Sequence, residues 1–474
     1  LFRNQSTWQP LLEPVMTRMT LKVRRWQLGA DRDHSFLGRP RLNELITQIS
    51  SGLQGYGQPI DVAISWPWEE SQYRDGRSSW QAECRSSNPP LNARELDAYL
   101  TLRGLDTRAQ TPNTWLLTDP VSRDRYSQTA RIQDLVLRMA TVRSHRVQAA
   151  FVSDPYDPKQ GLLRPDGRPD ELLLPWRTTA RLIGNLRRAG SLKLRNGTDN
   201  MVLTGNNRAV LLLWSPVPGE ERLYLGENAR VVDVWGKVSE LPLEFDGNQP
   251  AQVVETGPEP VFVIGADPSL LAFRMSVALE PRRLDSLIGR NQKLSVSLTN
   301  PNDESLVGDL RIVSPESWSI ESPSRHWQSL AGRSAMHTFD VGLTNTAMIG
   351  DYEIPIQFDM DTVPPKRITV FRHVTVGPEG IDVDTKTRLL DGNELQVQVE
   401  LTNRSGQPKS FDCLLFPPPG RQFQERVISV APGETIRRDF FWPDAKEFLG
   451  REMTLRAVEQ DGPRVINYRF KIRR

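Results

Sequence analysis

The chain has 474 residues, 60 basic against 58 acidic side chains for a formal charge of +2, and a 38% hydrophobic fraction. That length exceeds one ordinary core and allows three or four domains, and the composition is that of a folded globular protein rather than a disordered one. A near-neutral charge with no Lys/Arg block excludes a phosphate-tracking nucleic-acid footprint, and two distant cysteines, Cys84 and Cys413, exclude a disulfide framework or a Cys-based metal site.

In chain order, Val23 to Asp31 reads as a short strand running out into a turn that delivers Asp31 and then Asp33. Leu42, Leu45, Ile46, Ile49 and Leu53 fall at helical spacing, an amphipathic helix ended near Gly55. Ile60 to Trp66 is a strand followed by the loop Trp66-Pro67-Trp68-Glu69-Glu70, and a weak strand lies around Trp80 to Cys84. Asn92 with Glu95 makes a capping box before the helical run Ala93 to Leu102. Thr114 to Thr118 is a strand ending in Asp119-Pro120. Ile132, Leu135, Val136, Met139 and Val142 form one apolar helix face, with Arg131, Asp134, Arg138 and Arg143 elsewhere. Val147 to Val152 is near-continuously apolar, as a strand covered on both faces would be, and exits into Ser153-Asp154-Pro155-Tyr156-Asp157. A last helix is predicted from about Pro175 to Arg188. This alternation predicts parallel βα units, five strands with one of them weak, fewer than a closed (β/α)8 barrel needs.

From Ser191 onward the helical period disappears. Val210–Trp214, Glu221–Leu225, Arg230–Val234 and Pro260–Ile264 are short strands between Gly, Pro and Asn turns, the pattern of a β-sandwich. Lys293-Leu294-Ser295-Val296-Ser297-Leu298-Thr299-Asn300 then resembles Leu395-Gln396-Val397-Gln398-Val399-Glu400-Leu401-Thr402-Asn403, and each opens a unit of roughly a hundred residues, the size of an immunoglobulin-like sandwich. The expected architecture is multidomain α/β plus all-β: residues 1–187 a partial TIM barrel (about strands 4–8), 188–278 a β-sandwich, and 279–376 and 377–474 two immunoglobulin-like β-sandwiches.

Three acidic clusters follow predicted strand ends: Asp31/Asp33, Asp119 and Asp154/Asp157. In a parallel barrel the pocket forms at that end of the strands. Paired carboxylates there match glycoside cleavage, one protonating the leaving oxygen while the other attacks the sugar carbon or activates water. The structural alternative is that strand-end Asp residues cap helices and make turns. Trp66 and Trp68 beside the mouth are either sugar platforms or a rim seal. His34 is close enough in sequence to tune Asp31 or bind a hydroxyl, and Tyr156 to contact a sugar or pack the rim; Trp176 reads as core.

These segments carry a family resemblance. Residues 1 to about 187 resemble the second half of a retaining clan A glycoside hydrolase barrel of the β-xylosidase and iduronidase kind. Trp26-Gln27-Leu28-Gly29-Ala30-Asp31 stands where that family has a Trp-containing segment closed by Asn and the acid/base Glu. Thr118-Asp119 stands where it has Thr and the nucleophile Glu. Ala130-Arg131, Phe151 to Asp157, Gly161-Leu162-Leu163 and Asp166-Gly167-Arg168-Pro169 are similar to its seventh helix, eighth strand and approach to the last helix. The resemblance implies Asp31 as acid/base and Asp119 as nucleophile. Trp26, Asp33, His34, Trp66, Trp68, Asp154 and Tyr156 would be sugar contacts. It implies no metal, no cofactor, a polysaccharide or oligosaccharide partner, and an extracellular or cell-envelope location. No membrane-spanning run is present in the sequence, and Leu1 without a visible signal peptide carries the expectation that the natural chain starts upstream.

The sequence departs from that pattern at three positions. Ala30 replaces the Asn expected to hold the sugar 2-hydroxyl, and both carboxylates are Asp, one methylene short. Retaining enzymes hold the two carboxyls about 5–5.5 Å apart, and two shortened side chains on an unchanged backbone open that gap by up to roughly 2 Å. Three outcomes stay open: loop shifts that restore the spacing, Asp33 in place of Asp31, or a barrel that binds carbohydrate without cleaving it.

Overall fold

A computed structural model of the chain describes residues 5–19, 22–55, 59–71, 73, 78–87, 90–103, 112–145, 147–246, 249–362, 365–418 and 422–473. They fall into two compact units, Leu1–Leu192 with Asn196–Leu243 and Gln252–Pro268, and Lys193–Arg195 with Glu244–Ala251 and Ser269–Arg474.

The first unit opens on a helix that periodicity alone does not reveal, α1 (Gln5–Met19), which carries Pro10 and Pro14. Proline normally ends helices, yet Trp8 and Met16 bury one face of it. There follow β1 (Arg25–Leu28), α2 (Leu42–Gln54), β2 (Asp61–Ser65), β3 (Ala82–Arg85), α3 (Ala93–Arg103), β4 (Asn113–Leu117), α4 (Gln128–Ser144), β5 (Val147–Phe151) and α5 (Leu173–Ile183). The five strands form one all-parallel sheet in sequence order, a parallel half-barrel, with Gln27 beside Ala63, Ala63 beside Ala82, Cys84 beside Trp115, and Trp115 beside Ala149.

Strand alternation sorts the side chains. Leu28, Val62 and Ile64 pack against Ile46, Ile49 and Leu53 of α2, while Ala63, Ala82, Cys84 and Trp115 form the layer on the other face with Leu117, Ala149 and Phe151. The capping box forms as read: Asn92 Oδ1 accepts from Arg94 N (3.0 Å) and Glu95 N (3.1 Å), and Glu95 Oε2 accepts from Asn92 N (2.9 Å).

Two expectations are corrected here. The last helix ends at Ile183, not Arg188, because Gly184 closes it against the chain: a Cβ there would meet the Ala180 carbonyl oxygen at 2.4 Å. Arg187–Gly190 is instead β6, the edge of a second, antiparallel sheet with β7 (Asp199–Gly205), β8 (Arg208–Trp214), β9 (Arg230–Val232), β10 (Val238–Glu240) and β11 (Val261–Ile264), in the order β10-β9-β11-β8-β7-β6. Its Leu203, Val210, Leu212 and Phe262 share one core with Ile132, Leu135 and Val136 of α4 and with the half-buried Trp176 of α5. Helix also recurs beyond Ser191, as α6 (Pro268–Ser276). It is short, and its apolar run Leu270-Leu271-Ala272-Phe273 has no distinct helical period to read.

The second unit holds two successive blocks, each with two sheets, whose strands pair antiparallel except for Arg283–Leu284, which runs parallel to Lys366–Val376. The repeat seen in sequence proves to be a repeated device. Asn300 and Asn403 end equivalent strands, Asn291–Thr299 and Leu395–Asn403, and both are fully buried. Asn300 Nδ2 donates to the carbonyls of Glu304 (2.7 Å) and Ser329 (3.0 Å), and its Oδ1 accepts from Asn302 N (2.9 Å). Asn403 repeats each contact, to Gln407 (2.7 Å), Val430 (3.0 Å) and Ser405 N (2.9 Å). The blocks are fastened to one another by the Arg464–Asp285 ion pair (2.8 Å), by Val465 N donating to Ser286 O (3.0 Å), and by Asn467 Nδ2 donating to the Ala347 carbonyl (2.9 Å).

Candidate functional site

At the C-terminal ends of the parallel strands, the residues that continue the concave face are Gln27, Ser65, Cys84 and Ser86, with Asp119 and Ser153 in the loops beyond β4 and β5. The loop after β1 turns sharply at Gly29 (φ +84°), where a Cβ would meet Asp33 Oδ2 at 2.7 Å. Asp31 then stands exposed, its Oδ1 accepting from Gln27 Nε2 (3.0 Å), and Arg32 reaches Ser86 Oγ (3.4 Å). Asp33 Oδ1 accepts from Ser35 N (2.8 Å), which makes it a turn former, and His34 is exposed.

Asp119 is buried, and both its carboxylate oxygens are engaged by one residue: Oδ1 accepts from Ser153 N and Oδ2 from Ser153 Oγ, each at 2.7 Å. Its backbone carbonyl accepts from Arg138 Nη1 (2.8 Å). Asp31 and Asp119 bear on the same buried thiol. Cys84 is pushed up to about 12, first by burial and then by the charges of Asp31 and Asp119. The thiol is therefore neutral and no nucleophile at ordinary pH.

The braces of this mouth are residues that motif reading passes over. Arg131 and Arg138 of α4 are 1% and 2% exposed, so the polar side of that helix does not face water. Arg138 Nε donates to Asp134 Oδ2 (2.8 Å), and Asp134 Oδ1 accepts from Ala93 N at the start of α3 (3.2 Å). Arg131 Nε donates to the Val121 carbonyl (2.9 Å), its Nη2 to that of Lys159 (3.3 Å), and it pairs with Glu171. Their positions, i and i+7 on one helix, were the available signal. On β3, Glu83 and Arg85 form a buried ion pair (2.6 Å). Arg85 Nη1 also donates to the carbonyls of Pro67 (3.2 Å) and Glu70 (2.7 Å), fixing the loop between Trp66 and Glu70.

That loop decides between the two readings of Trp66. It is 6% exposed, its indole N–H donates to the Ser71 carbonyl (2.8 Å), and its ring stacks on Trp80 (6.5 Å between centroids). It is a rim seal, and the platform expectation is corrected. Trp68 is half-buried against Tyr99 (5.5 Å between ring centroids). Trp26 is likewise corrected: strand alternation puts it on the helix-facing side of β1, packed on the core there, with Nε1 donating to the Val23 carbonyl (3.0 Å). Asp154 is exposed and accepts from Tyr156 N (2.9 Å), a turn, and Tyr156 is 49% exposed.

Replacing Ser153 by Ala deletes one hydrogen bond to a charged acceptor while leaving the backbone donor in place. The expected loss is about 1 kcal/mol, the Ser153 side being open to water, and it is read as a shift of the urea midpoint with an unchanged slope.

No family model matches the chain, and no curated protein matches it. Solved structures similar to it include an alpha-amylase from H.orenii (10% identity, 56% of this chain and 65% of that one, TM-score 0.33). A glucosidase from Croceicoccus marinus is also similar (10%, 72% and 75%, TM-score 0.31), as is a glycosyl hydrolase family 2 member from Bacteroides cellulosilyticus (8%, 98% and 52%, TM-score 0.24). The chain thus spans about half the length of the last. A transglutaminase from red sea bream, the YadV chaperone and chaperones from E. coli and Pseudomonas aeruginosa are also similar, at TM-scores of 0.14 to 0.22. Similarity this low identifies neither a substrate nor a catalytic residue. Among the described residues, no group of His, Cys, Asp and Glu is arranged to hold a metal ion, and no helix is long and apolar enough to cross a membrane.

Proposed function

We propose that the chain is a glycoside hydrolase-like protein whose half-barrel mouth handles a polysaccharide, with Asp119 as nucleophile and Asp31 as acid/base. The observation that carries this is the placement of two carboxylates in the loops beyond the C-terminal ends of β1 and β4 of one parallel sheet, Asp119 with both oxygens held by Ser153. In the first step Asp31 donates its proton to the glycosidic oxygen as that bond to the anomeric carbon breaks, and an Asp119 oxygen forms an ester to the same carbon. In the second, water replaces Asp119 on that carbon and gives its proton to Asp31, restoring both groups. Ser153 aims the Asp119 carboxylate, and Arg138 holds the backbone behind it. The two sandwich blocks would be immunoglobulin-like appendages to a TIM barrel, in a protein that works outside the cytoplasm, where polymeric glycans are met.

A second reading, a carbohydrate-binding barrel that cleaves nothing, is favoured by the exposure of Asp31. Asp31 stands in water, its Oδ1 accepting from the neutral Gln27 amide (3.0 Å), while Asp119 is buried under Ser153. Incubation of the chain with a panel of polysaccharides separates the two. Release of reducing sugar that stops in both Asp119→Asn and Asp31→Asn is expected of the enzyme. Sugar binding without release, retained when both positions are Asn, rejects catalysis and leaves the binding barrel.

A further inference from the structure

Among the described aromatic residues of the half-barrel, two are exposed, Tyr126 at 51% and Tyr156 at 49%; the tryptophans, phenylalanines and other tyrosines are buried or half-buried. Both exposed rings lie on the loops that leave the C-terminal ends of β4 and β5, the loops that also carry Asp119 and its partner Ser153. A tyrosine left in water forgoes the stabilisation its ring would gain by burial, so two of them together at one strand end invite a ligand explanation.

The loops that bear them are tied to each other. Arg123 N donates to the Lys159 carbonyl (3.1 Å), Lys159 Nζ pairs with Asp124 (2.7 Å), and Arg131 Nη2 donates to the same Lys159 carbonyl (3.3 Å). Tyr126 is held by its N–H to the Ser122 carbonyl (3.2 Å), next to the Ser127 cap of α4, and Tyr156 by its N–H to Asp154 Oδ1 (2.9 Å). The backbones under both rings are therefore fixed before any ligand arrives, which lowers the entropy lost on binding.

We propose that Tyr126 and Tyr156 are stacking platforms for successive pyranose rings, so that the mouth takes an oligosaccharide chain rather than a single sugar. This rests on the reading of the mouth as a carbohydrate site, and it assigns Tyr126 a role that sequence reading did not. A pyranose presents a flat face of C–H groups to an aromatic ring, and a chain of them reaches platforms on neighbouring loops at once.

The test is calorimetric titration of the full chain with β-1,4-linked hexaoses of glucose, xylose and N-acetylglucosamine and with the three monosaccharides. One hexaose is expected to bind at least about tenfold more tightly than its monomer, with each of Tyr126→Ala and Tyr156→Ala weakening it roughly fivefold and the monomer unaffected. Tyr126→Phe keeps the affinity if the ring face is what matters, and unchanged thermal unfolding of the exposed-site variants shows that the fold is intact. Hexaose binding equal to that of its monomer, or unaltered in the double Ala variant, overturns the platform role while leaving the mouth a carbohydrate site. Binding of no saccharide of either length, together with a negative polysaccharide panel, overturns both.

Discussion

Arg85→Met is expected to destabilise the first unit by about 3–5 kcal/mol, the cost of stranding one member of a buried ion pair. Glu83 is 0% exposed and Arg85 3% exposed, two residues apart on the face of β3 opposite Cys84. Without the guanidinium, the Tyr73 N–H (2.7 Å) remains as a donor to the Glu83 carboxylate, and the Pro67 and Glu70 carbonyls lose the Arg85 donor. The double change Glu83→Leu with Arg85→Met is expected to recover roughly half of the loss, because an apolar pair carries no buried charge while those backbone groups stay without their partners. Chemical unfolding of the two variants checks this; a double variant as unstable as the single one would place the cost in the loop contacts and not in the charge.

The same pair gives a pH signature. Burial raises the Glu83 carboxyl above its ordinary value of 4.5, with Arg85 and the Tyr73 N–H pulling the other way. A folded-state value above the unfolded one means that the folded protein binds more protons between the two, so stability is greatest below about pH 4.5 for this group and falls as pH rises through the raised value. Asp134 adds in the same direction for the same first cause, burial. In Arg85→Met the Glu83 contribution is expected to deepen and extend to higher pH, seen as a steeper loss of Tm between acid and neutral solution.

Asn403→Ala is expected to cost the second sandwich block about 3 kcal/mol, and Asn300→Ala a similar amount in the first. Each Asn side chain is fully buried and satisfies one carbonyl and one N–H of the loop that follows its strand, together with the carbonyl that ends a later strand, Ser329 or Val430. Alanine removes the donor to the buried Ser329 and Val430 carbonyls, which is costlier than losing an exposed hydrogen bond. Asn→Asp is expected to fall between, since a carboxylate keeps the acceptor role and cannot donate. Hydrogen exchange of the amides around 405–434 in Asn403→Ala reads the effect locally. Protection equal to the parent there would mean that the loops hold themselves and the Asn only fills space.

Much of this molecule was legible from residues alone, for a physical reason: period and capping are local. The strand–helix alternation through β5, the Asn92/Glu95 box and the paired Leu-rich strands ending in Asn depend on neighbours within a few positions. Spacing also placed Asp31 and Asp119 beyond strand ends. What spacing cannot carry is which way a side chain turns and what meets it from far along the chain. Trp26 and Trp66 looked like mouth residues, and only the pleat of β1 and the stack on Trp80 put them inside. Arg131 and Arg138 read only as lying off the apolar helix face, and the arrival of the β4 and β5 loops over α4 made them braces. Helix α1 was hidden by its prolines, whose cost is offset by the burial of Trp8 and Met16, a tertiary term. The sequence by itself determined the order of elements from β1 to α5 and the positions of the two carboxylates; the tertiary structure alone decided that Ser153 holds one, that the other is exposed, and that two tyrosines stand open on the β4 and β5 loops, because long-range contacts have no period to be read.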